Sequence, residues 1–439
     1  MIFFKAIAVF FSSNIFSFLR IFDLSSKAYR LLLVISIVYL IFFNIKPTVR
    51  KQPAIKNQRI KNGVTLLEAF IILVIADIVW LFFMILGNYI PAKDIIINSV
   101  IVSVQLFILF WNGIIRTYIF SEQMGIKWRA IGIICGFIPI ANIIVLTKII
   151  KIADLEYKTE VEKLILNNSR KEQEICKTKY PILLVHGVFF RDFRFFNYWG
   201  RIPDELKKNG GEIYYGNQQS AASVEECGRE IAERIRTIVN ESGCEKVNII
   251  AHSKGGLDSR YAISFFGADK YVASLTTVNT PHKGCQFADY LLNIAPEKLK
   301  KSVADKYNRI LKKLGDNNPD FLSAVQDLTA ESCIKRNELC KNSENVYYQS
   351  IGSKALKATS SHFPLNLSYH LVKYFDGEND GLVAVDSMNW GESFKLFKPH
   401  KNRGISHGDM IDLNRENIDG FDVRETYVEI VSGLKKMGF

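Results

Sequence analysis

A serine lies among small residues at the point where a buried strand gives way to a helix. The apolar run over residues 247–251 predicts the strand, and it leads directly into His252-Ser253-Lys254-Gly255-Gly256, after which helical sequence resumes. A serine on so sharp a turn has a strained backbone, so the positions two residues away must be small. Ala251 and Gly255 meet this need. The block therefore predicts a serine hydroxyl presented at the carboxyl edge of a sheet.

The sequence around this block predicts the type of sheet. Residues 180–187 form a second continuous apolar run that ends in His-Gly, and residues 223–239 predict a helix that Ser223 and Glu226 begin as a capping box. Continuous apolar runs fit strands buried on both faces, as in a parallel sheet. Strands that alternate with helices indicate βαβ units. We therefore expect an α/β domain, a mostly parallel sheet flanked by helices, over residues 178–439.

A serine nucleophile needs a base and an acid. Among the seven histidines, His186 precedes the serine and His252 adjoins it, so neither suits the chain order of nucleophile, acid and base. His407 follows the last acidic loop and precedes a helix predicted over residues 423–436, which makes it the predicted base. Asp380 is the predicted acid. Three nearby carboxylates stay open as alternatives: Asp376, Glu378 and Asp386.

Five blocks in this half of the chain together resemble the bacterial triacylglycerol lipases, a family with the α/β-hydrolase fold. They are Leu184-Val-His-Gly187, Ala251-His-Ser-Lys-Gly-Gly256, Asn279-Thr-Pro-His-Lys-Gly284, Asn379-Asp-Gly-Leu-Val383 and Ser406-His-Gly-Asp409. The resemblance implies Ser253 as nucleophile, Asp380 as acid and His407 as base. It also implies an oxyanion hole formed by the backbone N–H groups of Val188 and Lys254.

The same resemblance bears on metal binding, because many of these lipases hold a structural calcium near the acid and base loops. Asp409 matches one ligand position, whereas Leu413 stands where an oxygen-donating side chain is usual. Calcium at Asp409 is therefore an expectation that departs from the family pattern at one ligand. The predicted chemistry itself requires no cofactor.

Residues 285–337 form an insertion where the resembling lipases carry a lid. Five apolar residues there follow helical spacing on one face: Val303, Tyr307, Ile310, Leu311 and Leu314. Lysines occupy the rest of the stretch. Two interpretations stay open, a lid whose apolar underside opens against lipid and a helix packed permanently on the sheet.

Residues 1–150 contain long apolar runs that predict a transmembrane region, since a spanning helix needs roughly 20 apolar residues. Four runs predict spans: residues 31–45, 69–92, 95–115 and 130–147. Residues 1–22 predict an interfacial helix or a fifth span. Asp77 lies within the second run, where a carboxylate is either functional or a packing contact.

The charge of the chain lies mainly in this part. Residues 1–177 hold 21 Lys and Arg against 11 Asp and Glu, so they carry most of the net charge of +12. Anionic headgroups account for that charge, and no nucleic-acid-binding motif accompanies it, so we expect membrane lipids and no nucleic acid as partners. Residues 151–177 predict a charged helical linker.

Loop charges indicate on which side of the membrane the catalytic domain lies. Residues 47–63 carry five Lys and Arg and no acid, which favours an extracytoplasmic catalytic domain, although the lysines after residue 147 favour the opposite. The seven cysteines form no metal-binding pattern. Cys333 and Cys340 predict either one disulfide or reduced thiols.

The sequence thus predicts a membrane-anchored serine hydrolase that cleaves lipid carboxylic esters through an acyl-enzyme on Ser253. An acyltransferase with the same triad is an alternative, because only the final acceptor differs. A catalytically idle membrane scaffold is a second alternative. The complete set of Ser253, Asp380 and His407 argues against the scaffold.

Overall fold

A computed structural model of the chain describes residues 2–22, 26–48, 54–138, 140–188, 197–363, 365–397 and 403–439. It has two compact units, Met1–Leu166 and Asn167–Phe439. The first unit is entirely helical where it is described, and the second contains a six-stranded sheet.

Seven helices form the first unit and the chain leading out of it: α1 (Ile2–Ser13), α2 (Ile15–Ile21), α3 (Ser26–Ile45), α4 (Ile55–Gly87), α5 (Ala92–Phe120), α6 (Gly125–Cys135) and α7 (Ala141–Arg170). Within the described residues, three segments are long and apolar enough to cross a membrane: Lys27–Ile45, Ile55–Gly87 and Ala92–Phe120. They include most of the predicted spans over residues 31–45, 69–92 and 95–115. Helices α1 and α2 form a pair bent by 63° that would count as one further span.

The fourth predicted span, residues 130–147, coincides with two helices instead of one. Helix α6 ends at Cys135 and α7 begins at Ala141, so the apolar run is interrupted in its middle. The interruption falls where the sequence has Gly136 and Pro139, which weaken a helix through backbone entropy and a missing N–H donor. The hydropathy of the run predicted a span without taking this break into account.

Asp77 packs into a polar cluster inside the first unit. Its Oδ1 accepts a hydrogen bond from Asn14 Nδ2 at 2.6 Å, and Asn14 Oδ1 in turn accepts one from Asn98 Nδ2 at 2.8 Å. Asn14 lies between α1 and α2, while Asp77 and Asn98 lie on α4 and α5. This geometry favours the packing interpretation of Asp77.

The sheet of the second unit is parallel throughout, which confirms the predicted α/β fold. Its strands are β1 (Ile182–Val185), β2 (Ile213–Tyr215), β3 (Val247–His252), β4 (Val272–Val278), β5 (Tyr347–Ser353) and β6 (Ser393–Phe397), in the order β2-β1-β3-β4-β5-β6. Every residue of β1, β3 and β4 is buried, as expected for central strands of a parallel sheet with helices on both faces.

The helices of this unit are α8 (Ile202–Lys208), α9 (Val224–Ser242), α10 (Lys254–Phe265), α11 (Gln286–Ile294), α12 (Glu297–Lys313), α13 (Phe321–Gln326), α14 (Ala330–Leu339), α15 (Leu365–Asp376), α16 (Val385–Met388) and α17 (Val423–Lys436). Adjacent strand residues point to opposite faces, so Ile249 packs in one apolar layer with α9 while Ile250 packs in the other with α17. The predicted capping box at Ser223 and Glu226 is present, and the final helix has its predicted bounds.

The predicted insertion over residues 285–337 contains α11 to α13 and most of α14. Its central helix α12 buries Ala304 and Leu311, whereas Tyr307 and Ile310 keep 44% and 45% of their surface exposed. The predicted apolar face is therefore divided between a buried edge and a solvent-facing row. Cys333 and Cys340, also in or beside this insertion, are both free thiols.

Candidate active site

The Ser253 turn has the strained geometry that the sequence predicts. Ser253 stands between β3 and α10 with φ 54° and ψ −130°, a backbone conformation that residues with side chains rarely adopt. A Cβ built on Gly255 would lie only 2.3 Å from the carbonyl oxygen of His186. The first turn of α10 therefore packs directly on the end of β1, and this contact positions the serine at the carboxyl edge of the sheet.

His407 and Asp380 are in direct contact. His407 Nδ1 lies 2.6 Å from Asp380 Oδ2, and the backbone N–H of His407 donates to the Asp380 carbonyl at 2.9 Å. The carboxylate is completely buried, so it must accept hydrogen bonds to offset its lost hydration. With the Nδ1 proton held by the carboxylate, the lone pair of Nε2 is free to act as a base.

The histidine also lies beside the nucleophile turn. The His407 ring is 4.5 Å, centroid to centroid, from the ring of His252, the residue that precedes Ser253. In the described part of the chain, Ser253 Oγ makes no hydrogen bond to the His407 ring, so the structure forms the acid–base pair but not the serine–base bond. Such bonds are often long in a ligand-free enzyme and tighten when substrate binds.

The alternative acids are engaged elsewhere. The carboxylate of Asp376 accepts the backbone N–H groups of Gln286 and Phe287 at the start of α11, at 2.9 and 3.2 Å. Glu378 pairs with Lys354, and Asp386 is exposed on α16. Of the four carboxylates, Asp380 is the one whose side chain contacts His407.

Asn279, which the sequence analysis did not single out as a site residue, supports the acid. Its Nδ2 donates to Asp380 Oδ2 at 2.6 Å and to Ser353 Oγ at 2.7 Å. Asp380 Oδ1 accepts the backbone N–H groups of Leu382 and Val383 at 2.9 and 2.7 Å. The carboxylate is thus held at both oxygens. A polar residue directly after the buried strand β4 was the available signal for Asn279.

We expect Asn279→Ala to lower kcat by roughly 10- to 100-fold, because a hydrogen bond to a charged group is lost. Without this donor the Asp380 carboxylate is no longer fixed at Oδ2, the oxygen that contacts His407 Nδ1, so the imidazole is held less well for catalysis. Steady-state kinetics on a nitrophenyl ester measures the loss, and thermal unfolding checks the fold. An unchanged kcat together with a lowered melting temperature would assign Asn279 to folding alone.

Tyr198 links the His-Gly loop after β1 to the turn that carries Ser253. Its hydroxyl accepts the Gly187 N–H at 3.0 Å and contacts His252 Nδ1 at 2.7 Å. Burial, and then the proximity of His407, lowers the pKa of His252 well below its ordinary value. His252 is therefore neutral, and its Nδ1 can accept a hydrogen bond from the Tyr198 hydroxyl. A Cβ on Gly187 would lie 2.9 Å from Ser253 Cβ, which places the His-Gly loop against the nucleophile.

The two predicted oxyanion donors flank this loop and turn. Val188 follows Gly187 and is half-buried, and Lys254 is the first residue of α10. The Lys254 ammonium group is buried and pairs with Asp258 at 2.7 Å. That pair holds the Lys254 side chain against the next turn of α10. The backbone N–H of Lys254 lies in the first turn of the helix, where N–H groups have no partner within the helix. The role of both N–H groups stays a prediction.

Comparisons with known proteins concern the family of the chain. Residues 213–326 match the family model described as "Putative serine esterase (DUF676)". A triacylglycerol lipase of Pseudarthrobacter phenanthrenivorans is 33% identical over 165 residues, which is 35% of this chain and 51% of that protein. A triacylglycerol lipase of Vibrio cholerae is 30% identical over 245 residues, covering 50% of this chain and 77% of that protein.

The chain belongs to the bacterial triacylglycerol lipase family. It spans about half the length of the first curated relatives that it matches. Among solved structures, the mature Bacillus licheniformis lipase BlEst2 superimposes with a TM-score of 0.43 at 22% identity, over 58% of this chain and 92% of that one. Membership of the lipase family confirms the resemblance drawn from the sequence.

The calcium ligand that the lipase resemblance implies is paired with a cation. The carboxylate of Asp409 accepts Arg403 Nη1 at 2.8 Å and Nη2 at 3.2 Å, and it also accepts the Ser406 N–H. No group of three metal-ligating side chains occurs among the described residues. The residues around Asp409 therefore do not fit a calcium ion in this arrangement, and calcium binding stays an untested prediction.

Proposed function

We propose that this lipase-family chain is a membrane-anchored serine hydrolase that cleaves lipid carboxylic esters. The observation that carries the proposal is the buried contact between His407 and Asp380 beside the strained turn of Ser253. The named lipases among its relatives support an ester bond as the target. The three apolar segments of the first unit support a membrane location.

In the proposed reaction, Ser253 Oγ attacks the carbonyl carbon of the ester while His407 Nε2 takes the hydroxyl proton. The carbonyl oxygen becomes an oxyanion, which the N–H groups of Val188 and Lys254 stabilise. His407 then returns the proton to the departing alcohol oxygen, and the acyl group stays on Ser253. Water, deprotonated by His407, then attacks the acyl carbon; the bond to Ser253 Oγ breaks, His407 returns the proton to Oγ, and the fatty acid is released.

Asp380 has two tasks in this scheme. It holds the Nδ1 proton of His407, which keeps the Nε2 lone pair directed at the serine, and its charge stabilises the imidazolium that forms during attack. Asn279 and the backbone N–H groups of Leu382 and Val383 fix the carboxylate for both tasks.

The anchoring and its direction are part of the same proposal. Helices α3, α4 and α5 would cross the bilayer, and the basic residues of segment 47–63 would stay in the cytoplasm by the positive-inside rule. With these three crossings the chain after α5, and with it the catalytic domain, would lie in the cytoplasm. The extracytoplasmic placement expected from the sequence requires the fourth predicted crossing, residues 130–147, as well. The insertion over α11 to α14 would open the acyl-binding surface to lipid.

A long-chain alkyl fluorophosphonate tests the proposal directly. Ser253 Oγ should attack phosphorus and expel fluoride, leaving a phosphonyl group on the peptide that contains Ser253, as peptide mass spectrometry can detect. Hydrolysis of a long-chain nitrophenyl ester should fall in proportion to labelling. Ser253→Ala should take up no label at this peptide.

Two results would overturn the proposal. Labelling absent from the folded wild-type chain would favour the idle scaffold. Product analysis with an added acceptor alcohol gives the second result: if the acyl group passes to the alcohol in preference to water, the chain is an acyltransferase with the same triad.

A further inference from the structure

Helix α12 carries its positive charge on one side. Its 17 residues include seven Lys and Arg against Glu297 and Asp305. At about 100° of rotation per residue, six of the basic residues fall within an arc of about 140°, namely Lys298, Lys301, Lys306, Arg309, Lys312 and Lys313. We name these six the basic arc. Asp305 is the single acid within it.

The basic arc is exposed and lacks acidic partners among the described residues. All six of its side chains face solvent. Glu297 pairs with Lys300, which lies outside the arc, and no described carboxylate lies within ion-pair distance of an arc residue. Because these charges are not neutralised locally, they project a positive potential into the solvent.

An apolar row lies along the same helix beside the basic arc. Leu299, Tyr307, Ile310 and Leu314 keep between 44% and 55% of their surface exposed, and they fall within about 80° of one another around the helix. The last turn of α11, which precedes α12 in the chain, has two further exposed apolar residues, Leu291 and Ile294. Large apolar side chains grouped in this way on a surface mark an interaction site.

The buried edge of α12 places this surface beside the active site. Leu311 packs in one apolar cluster with Ala221 and Ala324, and Val188 lies against that cluster. Val188 is the predicted oxyanion donor that follows the His-Gly loop. The buried edge of α12 is therefore joined through this cluster to the loop that carries the predicted oxyanion donor.

We propose that the outer face of α12 binds an anionic lipid surface. The basic arc would contact phosphate headgroups and the apolar row would enter the boundary between headgroups and acyl chains, as in interfacial amphipathic helices. The charge argues against a second copy of this chain as the occupant, because two basic arcs would repel each other. The inference rests on the proposed function only for the ester that is hydrolysed at this lipid surface. Binding to the surface itself requires no catalysis.

Vesicle flotation tests the binding without turnover. The full chain with Ser253→Ala, held in nanodiscs of neutral phosphatidylcholine, is mixed with separate vesicles that are either neutral or contain phosphatidylglycerol. We expect at least about tenfold more flotation with the anionic vesicles at low salt, and loss of the difference at high salt.

Matched triple variants locate the binding surface. K301Q/K306Q/R309Q removes half of the basic arc and should lower flotation with anionic vesicles by at least about tenfold, since each charge near such a surface is worth about fivefold. K207Q/K208Q/K341Q removes three exposed lysines elsewhere on the catalytic unit and should change it less than twofold. Circular dichroism checks that both variants fold.

Three outcomes would overturn the inference: equal flotation with neutral and anionic vesicles, equal loss in the two triple variants, and nanodiscs that pair through this face without vesicles. Turnover of a water-soluble short-chain ester by the wild-type serine separates the two proposals. If that ester is not hydrolysed while flotation is retained, the proposed function fails and the lipid-binding surface stands.

Discussion

Asp380→Asn is expected to lower kcat for ester hydrolysis by about 10⁴-fold while the domain stays folded. If the new amide keeps its oxygen on the N–H groups of Leu382 and Val383, its NH₂ group must face the donors Asn279 Nδ2 and His407 Nδ1–H. The His407 tautomer that carries its proton on Nε2 is then favoured, and in this form Nε2 cannot accept a proton from Ser253. In the reverse orientation the amide NH₂ group would face the N–H groups of Leu382 and Val383, which would then have no acceptor.

Steady-state kinetics on a soluble nitrophenyl ester measures this loss, with thermal unfolding as the check on folding. Glu378→Gln and Asp386→Asn are the matched controls, because each removes one of the alternative acids from an exposed position. Both should keep kcat within about twofold of wild type, as surface substitutions usually do. A large loss in either control, with Asp380→Asn retaining more than a tenth of wild-type kcat, would move the acid to another residue.

The strained Ser253 turn and the Asp380–His407 contact could be predicted because each residue sits in a short local pattern. Ser253 follows a buried strand among small residues, and Asp380 and His407 occur in blocks that keep the chain order of this fold. Asn279 carried a weaker signal. Its contact with Asp380 joins positions 101 residues apart, and no spacing within one segment encodes such a contact.

Tyr198 shows the same limit for the oxyanion side of the site. Its partner His252 is 54 residues away, and Tyr198 meets it at the carboxyl end of β3. In the helical unit, mean hydropathy predicted the helices α3, α4 and α5, but it treated residues 130–147 as uniform and passed over the break between α6 and α7. Side-chain partners and helix breaks depend on tertiary packing and backbone geometry, which hydropathy does not describe.

Gly255→Ala is expected to destabilise the catalytic unit by roughly 3 kcal/mol, at the upper end of what overpacking costs. The new Cβ would lie 2.3 Å from the His186 carbonyl oxygen and 2.8 Å from that of Val185. Both are backbone atoms of or beside β1, so the methyl group cannot be accommodated by a side-chain rotation. Helix α10 must move away from the sheet.

The movement of α10 should also disable the site, because Ser253 and the Lys254 N–H lie at the end that shifts. We expect the melting temperature of the catalytic unit to fall by roughly 6 to 12 °C, with kcat at least about 100-fold lower at temperatures where the protein stays folded, since one displaced oxyanion donor costs that much. Differential scanning fluorimetry and the nitrophenyl assay give the two values.

Gly433→Ala is the matched control for the methyl group itself. Gly433 lies within α17, and a Cβ there meets no atom within 4 Å. Alanine should therefore stabilise this helix by up to about 1 kcal/mol through its better helix propensity, with kcat unchanged. If Gly255→Ala were as harmless as Gly433→Ala, the close packing of α10 on β1 could not be what holds Ser253 in its strained conformation. The position of the nucleophile would then need another physical cause.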